Sequence, residues 1–96
     1  MSDRARFLRV GFTWAGVPKT KELEELFSTA LDWARYAPNC WVLWTTTDPK
    51  TWLKYIKPHL GESDFVFIAE LNLAETSENY FGWNKEWFWK WLDKNR

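Results

Sequence analysis

Ninety-six residues, thirteen basic and thirteen acidic, suggest one small domain without net charge, and nine of those residues are tryptophan. Neutrality excludes whole-molecule attraction to a phosphate backbone, although a local basic patch stays open. The single cysteine, Cys40, excludes an intramolecular disulfide and a cysteine-rich zinc site.

The opening MSDRARFLRVGF lacks the apolar region of roughly 7–15 residues that marks a secretory signal. No apolar run approaches the ~20 residues that cross a bilayer, so the expectation is a soluble, cytoplasmic protein. FLRVGFTW (7–14) alternates as a strand, with Leu8, Val10, Phe12 and Trp14 on one face and Arg9, Gly11 and Thr13 on the other. Gly16 and Pro18 punctuate its exit. From Thr20, the residues Leu23, Leu26, Phe27, Ala30 and Leu31 recur at helical spacing. Glu22, Glu24 and Glu25 stand near the amino end, where the helix dipole favours acids.

Helical periodicity can run on to the residue before Pro38, or WARYA (33–37) can form a strand that turns at Pro38-Asn39 into CWVLWTT (40–46). The hairpin is preferred, because it leaves a helix of ordinary length and gives the second strand a neighbour. The phase of 40–46 is open, since Trp41/Leu43 and Val42/Trp44 are both bulky. DPKTWLKYIK (48–57) carries a helix start, with Asp48 as cap and Pro49 in the first turn. Trp52, Leu53 and Ile56 make its inner face. DFVFIAELN (64–72) is a strand with two largely apolar faces, a pattern that requires cover on both sides. Asn84 caps a closing helix of about 84–95.

The order strand, helix, strand, strand, helix, strand is the split-βαβ, ferredoxin-like arrangement of the α+β class. It has an antiparallel sheet with two helices on one face, and here an additional C-terminal helix. A single domain is expected over 1–96, with its core at about 7–72. The uncovered sheet face is expected to carry Arg9, Gly11 and Thr13 beside Val66, Ile68 and Glu70, with an ion pair between Arg9 and Glu70.

FLRVGFTW, WARYAPNCWVLWTTTD, IKPHLGESDFVFIAELN and FGWNKEWFWKWL together resemble the small SinR-like proteins, relatives of the second CRISPR-associated protein that partners the spacer integrase. The resemblance implies a ferredoxin-like fold, dimers formed through the sheet face or C-terminal segments, and a setting in bacterial defence or mobile elements. Nuclease-type members place a metal-holding aspartate at the end of the first strand, and Thr13 occupies that place here. A hydroxyl is a poor substitute for a carboxylate toward a hard divalent cation. No catalytic residue, metal or cofactor is therefore assigned.

His59, Ser63 and Asp64 are close in sequence, yet a triad is defined by geometry, and turn or capping roles suit them better. Glu70 would be the carboxylate of a divergent metal-dependent nuclease; otherwise it is an ion-pair partner. A single-stranded nucleic-acid surface would need aromatic platforms beside cations, for which Arg9, Trp14, Arg35 and Trp44 are the candidates. The glycine-aromatic signature of RNA-recognition motifs is absent. In the closing helix, Trp87, Phe88, Trp91 and Leu92 fill one stripe and Trp89 falls outside it. The mixed charges opposite, Glu86, Lys90, Asp93 and Lys94, argue against a membrane-surface helix. That stripe is expected to meet Val66 and Ile68 on the uncovered sheet, in the same chain or in a partner. The leading expectation is a non-catalytic homodimer acting through protein contacts.

Overall fold

The computed structural model describes residues 4–71 and 85–94. Strands β1 (Arg6–Thr13), β2 (Asp32–Ala37), β3 (Cys40–Thr45) and β4 (Phe65–Leu71) form one antiparallel sheet in the order β2-β3-β1-β4. This is the ferredoxin-like order, and the β2–β3 hairpin turns at Pro38-Asn39 as the residue pattern implies. Helices α1 (Thr20–Phe27) and α2 (Pro49–Ile56) cover one face, and a short α3 (Glu86–Leu92) packs against the other.

Residue type explains the helix ends. At α2, the Asp48 carboxylate accepts a hydrogen bond from the Thr51 N–H at 2.7 Å and Pro49 opens the first turn. At the end of α1, the hydroxyls of Ser28 and Thr29 donate to the carbonyls of Glu24 and Leu26 at 2.8 and 2.7 Å. The same two carbonyls also accept the backbone N–H groups of Ser28 at 3.0 Å and Thr29 at 3.1 Å, so the hydroxyls bond locally to the backbone and compete with continuation of the helix. The helix therefore stops before Leu31, which is exposed rather than part of the inner stripe. Leu53 is likewise exposed, so α2 buries only Trp52 and Ile56.

The main core lies between the sheet and α1/α2. Leu8, Val10 and Phe12 of β1 and Trp41 and Leu43 of β3 meet Leu23, Phe27, Trp52 and Ile56. Burial of each such side chain contributes ~1.5–3 kcal/mol. Trp52 donates its indole N–H to the Thr45 hydroxyl at 3.2 Å, which satisfies the one polar atom that this ring takes inside. The open phase of β3 is thus resolved: Trp41 and Leu43 face the helices, Val42 and Trp44 the other side.

The phase expected for β4 is inverted. Ile68 stands opposite Val10 and Val66 opposite Phe12, and both pack against the core beneath the helices. Phe65 and Phe67 stand on the opposite face. Volume accounts for the choice. Phe12, Phe27, Trp41 and Trp52 already fill the layer under the helices, leaving room for branched aliphatics but not for two more rings. The shift also changes the partner of Glu70, which lies opposite Leu8 and pairs with Arg6 at 3.3 Å rather than with Arg9. That exposed pair contributes under ~1 kcal/mol.

Candidate functional site

Cross-strand register lays the open face out in rows. One row is Asp32, Trp44, Phe7 and Leu71; the next is Ala34, Val42, Arg9 and Ala69; a third is Cys40, Gly11 and Phe67. Beyond them Thr13 stands opposite Phe65.

The α3 helix covers the first two rows on the β2 side. Phe88 is buried against Ala34 and Val42, with Phe7, Tyr36, Leu71, Trp91 and Leu92 packed around it. Ring contacts join Tyr36 to Phe88 at 5.2 Å and Phe7 to Trp91 at 5.8 Å. Two polar contacts fix the helix: the Trp91 indole donates to Asp32 at 3.0 Å, and Lys94 pairs with the same carboxylate at 3.5 Å. The stripe thus covers the sheet of its own chain. One member is corrected. Trp87 is 47% exposed, beside Arg35 and Pro38, whereas Trp89 is half-buried with its ring 5.7 Å from Phe88. The Asn84 cap lies outside the described residues, and Lys85 occupies the cap position of α3.

No described element covers the remaining corner of the face. Phe65 and Phe67 are 65% and 66% exposed there, beside a hollow of about 210 Å³ lined by Arg9, Gly11, Thr13 and Cys40. Arg9 spans its floor. Its Nε donates to the Tyr36 hydroxyl at 3.0 Å and its Nη2, more weakly, to the Cys40 sulfur at 3.6 Å. Burial raises the Tyr36 pKa above the ordinary phenol value, and the hydrogen bond from Arg9 opposes that rise. The guanidinium crosses over Gly11, where a Cβ would lie 2.7 Å from Arg9 Nη1 and would push the Arg9 side chain aside.

Comparison with known protein families, curated proteins and solved structures gave no match. The residues themselves must therefore carry the functional reading.

The four nucleic-acid candidates do not share a surface. Arg9 and Trp44 lie on the open face, but Trp44 sits 4.7 Å from Phe7 in the half that α3 covers. Trp14 stacks on Phe12 at 5.0 Å, packed against the main core, which takes one face of its ring. Arg35 projects to the helix side, 5.2 Å above Trp41, with its guanidinium donating to the Pro38 carbonyl at 3.1 and 2.6 Å. Among the interface candidates, Phe88, Trp91 and Leu92 lie on the sheet face, while Val66 and Ile68 lie beneath the helices. Thr13 is exposed at the end of β1. Among the described residues, no group of three His, Cys, Asp or Glu is gathered, and no helix is long and apolar enough to cross a membrane. Phe65 and Phe67, absent from the sequence-based candidates, define the site. Their signal was the apolar character of both faces of one strand.

Asp64 performs the turn role expected of it. Its carboxylate accepts from the N–H of Ala15 at 2.8 Å and of Gly61 at 2.7 Å, tying the exit of β1 to the start of β4. Those two backbone bonds lower its pKa, Ala15 contributing more, and the Thr51 bonds lower that of Asp48. A carboxylate whose folded pKa lies below its unfolded value stabilises fully above the unfolded value, about 4. It loses that contribution as pH falls through the folded value. The melting temperature is accordingly expected to fall below about pH 4, and Asp64→Asn to flatten part of that slope. Thermal melts from pH 2 to 6 would measure it; an identical slope in the variant would show that the bonds do not depend on the charge.

Proposed function

We propose that this chain is a small non-catalytic interaction module whose partner-binding surface is the corner of its sheet that no described element covers, and that it acts as a homodimer. The observation that carries the reading is the pair of rings, Phe65 and Phe67, standing two-thirds exposed on a face whose other half is covered by α3. Two large neighbouring rings left in water beside a hollow of mixed polarity are costly unless something covers them, and adjoining exposed rings mark contact surfaces. Thr13 in place of a family-type aspartate supports a non-catalytic role. The SinR-like resemblance supports the homodimer and a setting in bacterial defence or mobile elements.

Sedimentation equilibrium tests this directly. The 11.6 kDa chain is expected to reach twice that mass at high concentration. Phe67→Lys is expected to weaken association at least tenfold without altering the fold, because the ring is already exposed. Equal association by the variant and the parent would remove this corner from the interface. Salt-sensitive binding of an oligonucleotide with tryptophan quenching would instead favour a nucleic-acid module.

A further inference from the structure

The sheet has two edges, and they are treated differently. At β2 the pairing shifts register between Arg35 and Ala37, Pro38 follows, and α3 packs against the strand. A bulge, a proline and a covering helix are the ordinary devices that stop an edge from recruiting another strand. Among the described residues, strand β4 has none of them. Phe65–Leu71 holds no proline, glycine or lysine and has continuous pairing with β1, and its one charge, Glu70, is engaged by Arg6.

The direction of the free backbone groups follows from the register. The Phe12 N–H donates to the Asn39 carbonyl at 2.9 Å, toward β3, so even-numbered residues of β1 turn their backbone groups to β3 and odd-numbered ones to β4. The β1–β4 register pairs odd with odd, Gly11 with Phe67 and Arg9 with Ala69. Val66, Ile68 and Glu70 therefore turn their N–H and C=O groups outward, and no described residue hydrogen-bonds to them.

Resting on the homodimer reading above, we infer that β4 pairs antiparallel with β4 of a second copy, with Ile68 on the two-fold axis, to make one continuous sheet through both subunits. Ile68 is the midpoint of Phe65–Leu71, so this register alone overlaps the whole strand. It opposes each outward residue with an outward residue: Ile68 with Ile68, and Val66 with Glu70 of the other copy. Every such pair exchanges two backbone hydrogen bonds. On the open face it sets Phe67 against Ala69 and Phe65 against Leu71 of the other copy, apolar cross-strand pairs that give both exposed rings a neighbour. A register centred on Phe67 would bring Asp64 opposite Glu70, two like charges face to face. The interface is isologous and closed, which explains how so apolar an edge can stay soluble.

Amide exchange and cross-linking test the pairing. At concentrations where the mass is doubled, the amides of Val66, Ile68 and Glu70 are expected to exchange slowly, and to lose that protection on dilution. The amides of Phe67 and Ala69, bonded to β1, should stay protected at both concentrations. In a Cys40→Ser background, mixing Phe67→Cys chains with Ala69→Cys chains is expected to give an oxidised cross-link that neither gives alone. A doubled mass with fast outward amides and no mixed cross-link would overturn the edge pairing and leave the homodimer standing. A mass of 11.6 kDa at every concentration would overturn both. Outward amides protected in the monomer, or only on adding an unrelated peptide, would also overturn the self-pairing.

Discussion

Trp41→Ala is expected to remove about 3–5 kcal/mol of stability, a large share of what the fold holds. The ring is wholly buried at the centre of the main core, edge-on to Phe12 at 5.5 Å and tilted against Phe27 at 5.4 Å. Its indole N–H donates to Glu24 at 3.1 Å and the Arg35 guanidinium lies 5.2 Å from its centroid. One side chain thus joins β1, α1, β2 and β3. Truncating a buried tryptophan costs about 3–5 kcal/mol, and a domain of this size holds only about 5–15. Removal also takes a hydrogen bond from Glu24 and a ring contact from Arg35, whose guanidinium keeps its bonds to the Pro38 carbonyl. Trp41→Phe keeps most of the volume and is expected to lose about half as much. Urea titration followed by far-ultraviolet circular dichroism would measure both. A Trp41→Ala midpoint within experimental error of the parent would show that the core is centred elsewhere.

Phe88→Ala carries the second large effect, of a different kind. Phe88 is the one buried residue of α3, packed against Ala34, Val42 and Tyr36. Seven residues are far below the ~12–15 at which an isolated helix becomes even marginal in water, so α3 exists through its packing. Removing its anchor is expected to release the helix as a unit, costing about 3 kcal/mol or more, while the core under α1 and α2 remains folded. The expected signature is fast exchange of the α3 amides and a red-shifted tryptophan emission, with the β1–β3 amides still protected. Trp87→Ala on the same helix is expected to change stability by no more than about 0.5 kcal/mol, since that ring is nearly half exposed. Equal losses from the two substitutions would contradict the arrangement.

The elements were legible in the residues, and the reasons are local. Alternation in 7–13 has one apolar face, so β1 has one phase only, and Asp48-Pro49 announces α2 through its cap and first turn. Where the pattern had two apolar faces, at 40–45 and 65–71, periodicity could not choose between them. The choice fell to volume in the layer beneath the helices, a tertiary property. The same inversion moved Val66 and Ile68 inside and put Phe65 and Phe67 out, and the candidate site moved with it. Arg9 illustrates a second limit. A cation on an open strand suggests a phosphate contact, but Tyr36 and Cys40, twenty-seven and thirty-one residues away, already hold its guanidinium.

The proposed dimer and the observed helix make a joint claim: α3 covers its own sheet, and a second copy would meet the β4 edge. An isotope-filtered NOE experiment on a dimer of one labelled and one unlabelled chain tests both at once. The expected spectrum shows Phe88–Tyr36 and Phe7–Trp91 contacts only within a chain, and Phe67–Ala69 contacts between chains. Phe88–Tyr36 contacts crossing between chains would mean exchanged helices and would contradict the account, as would a dimer with no contact through β4.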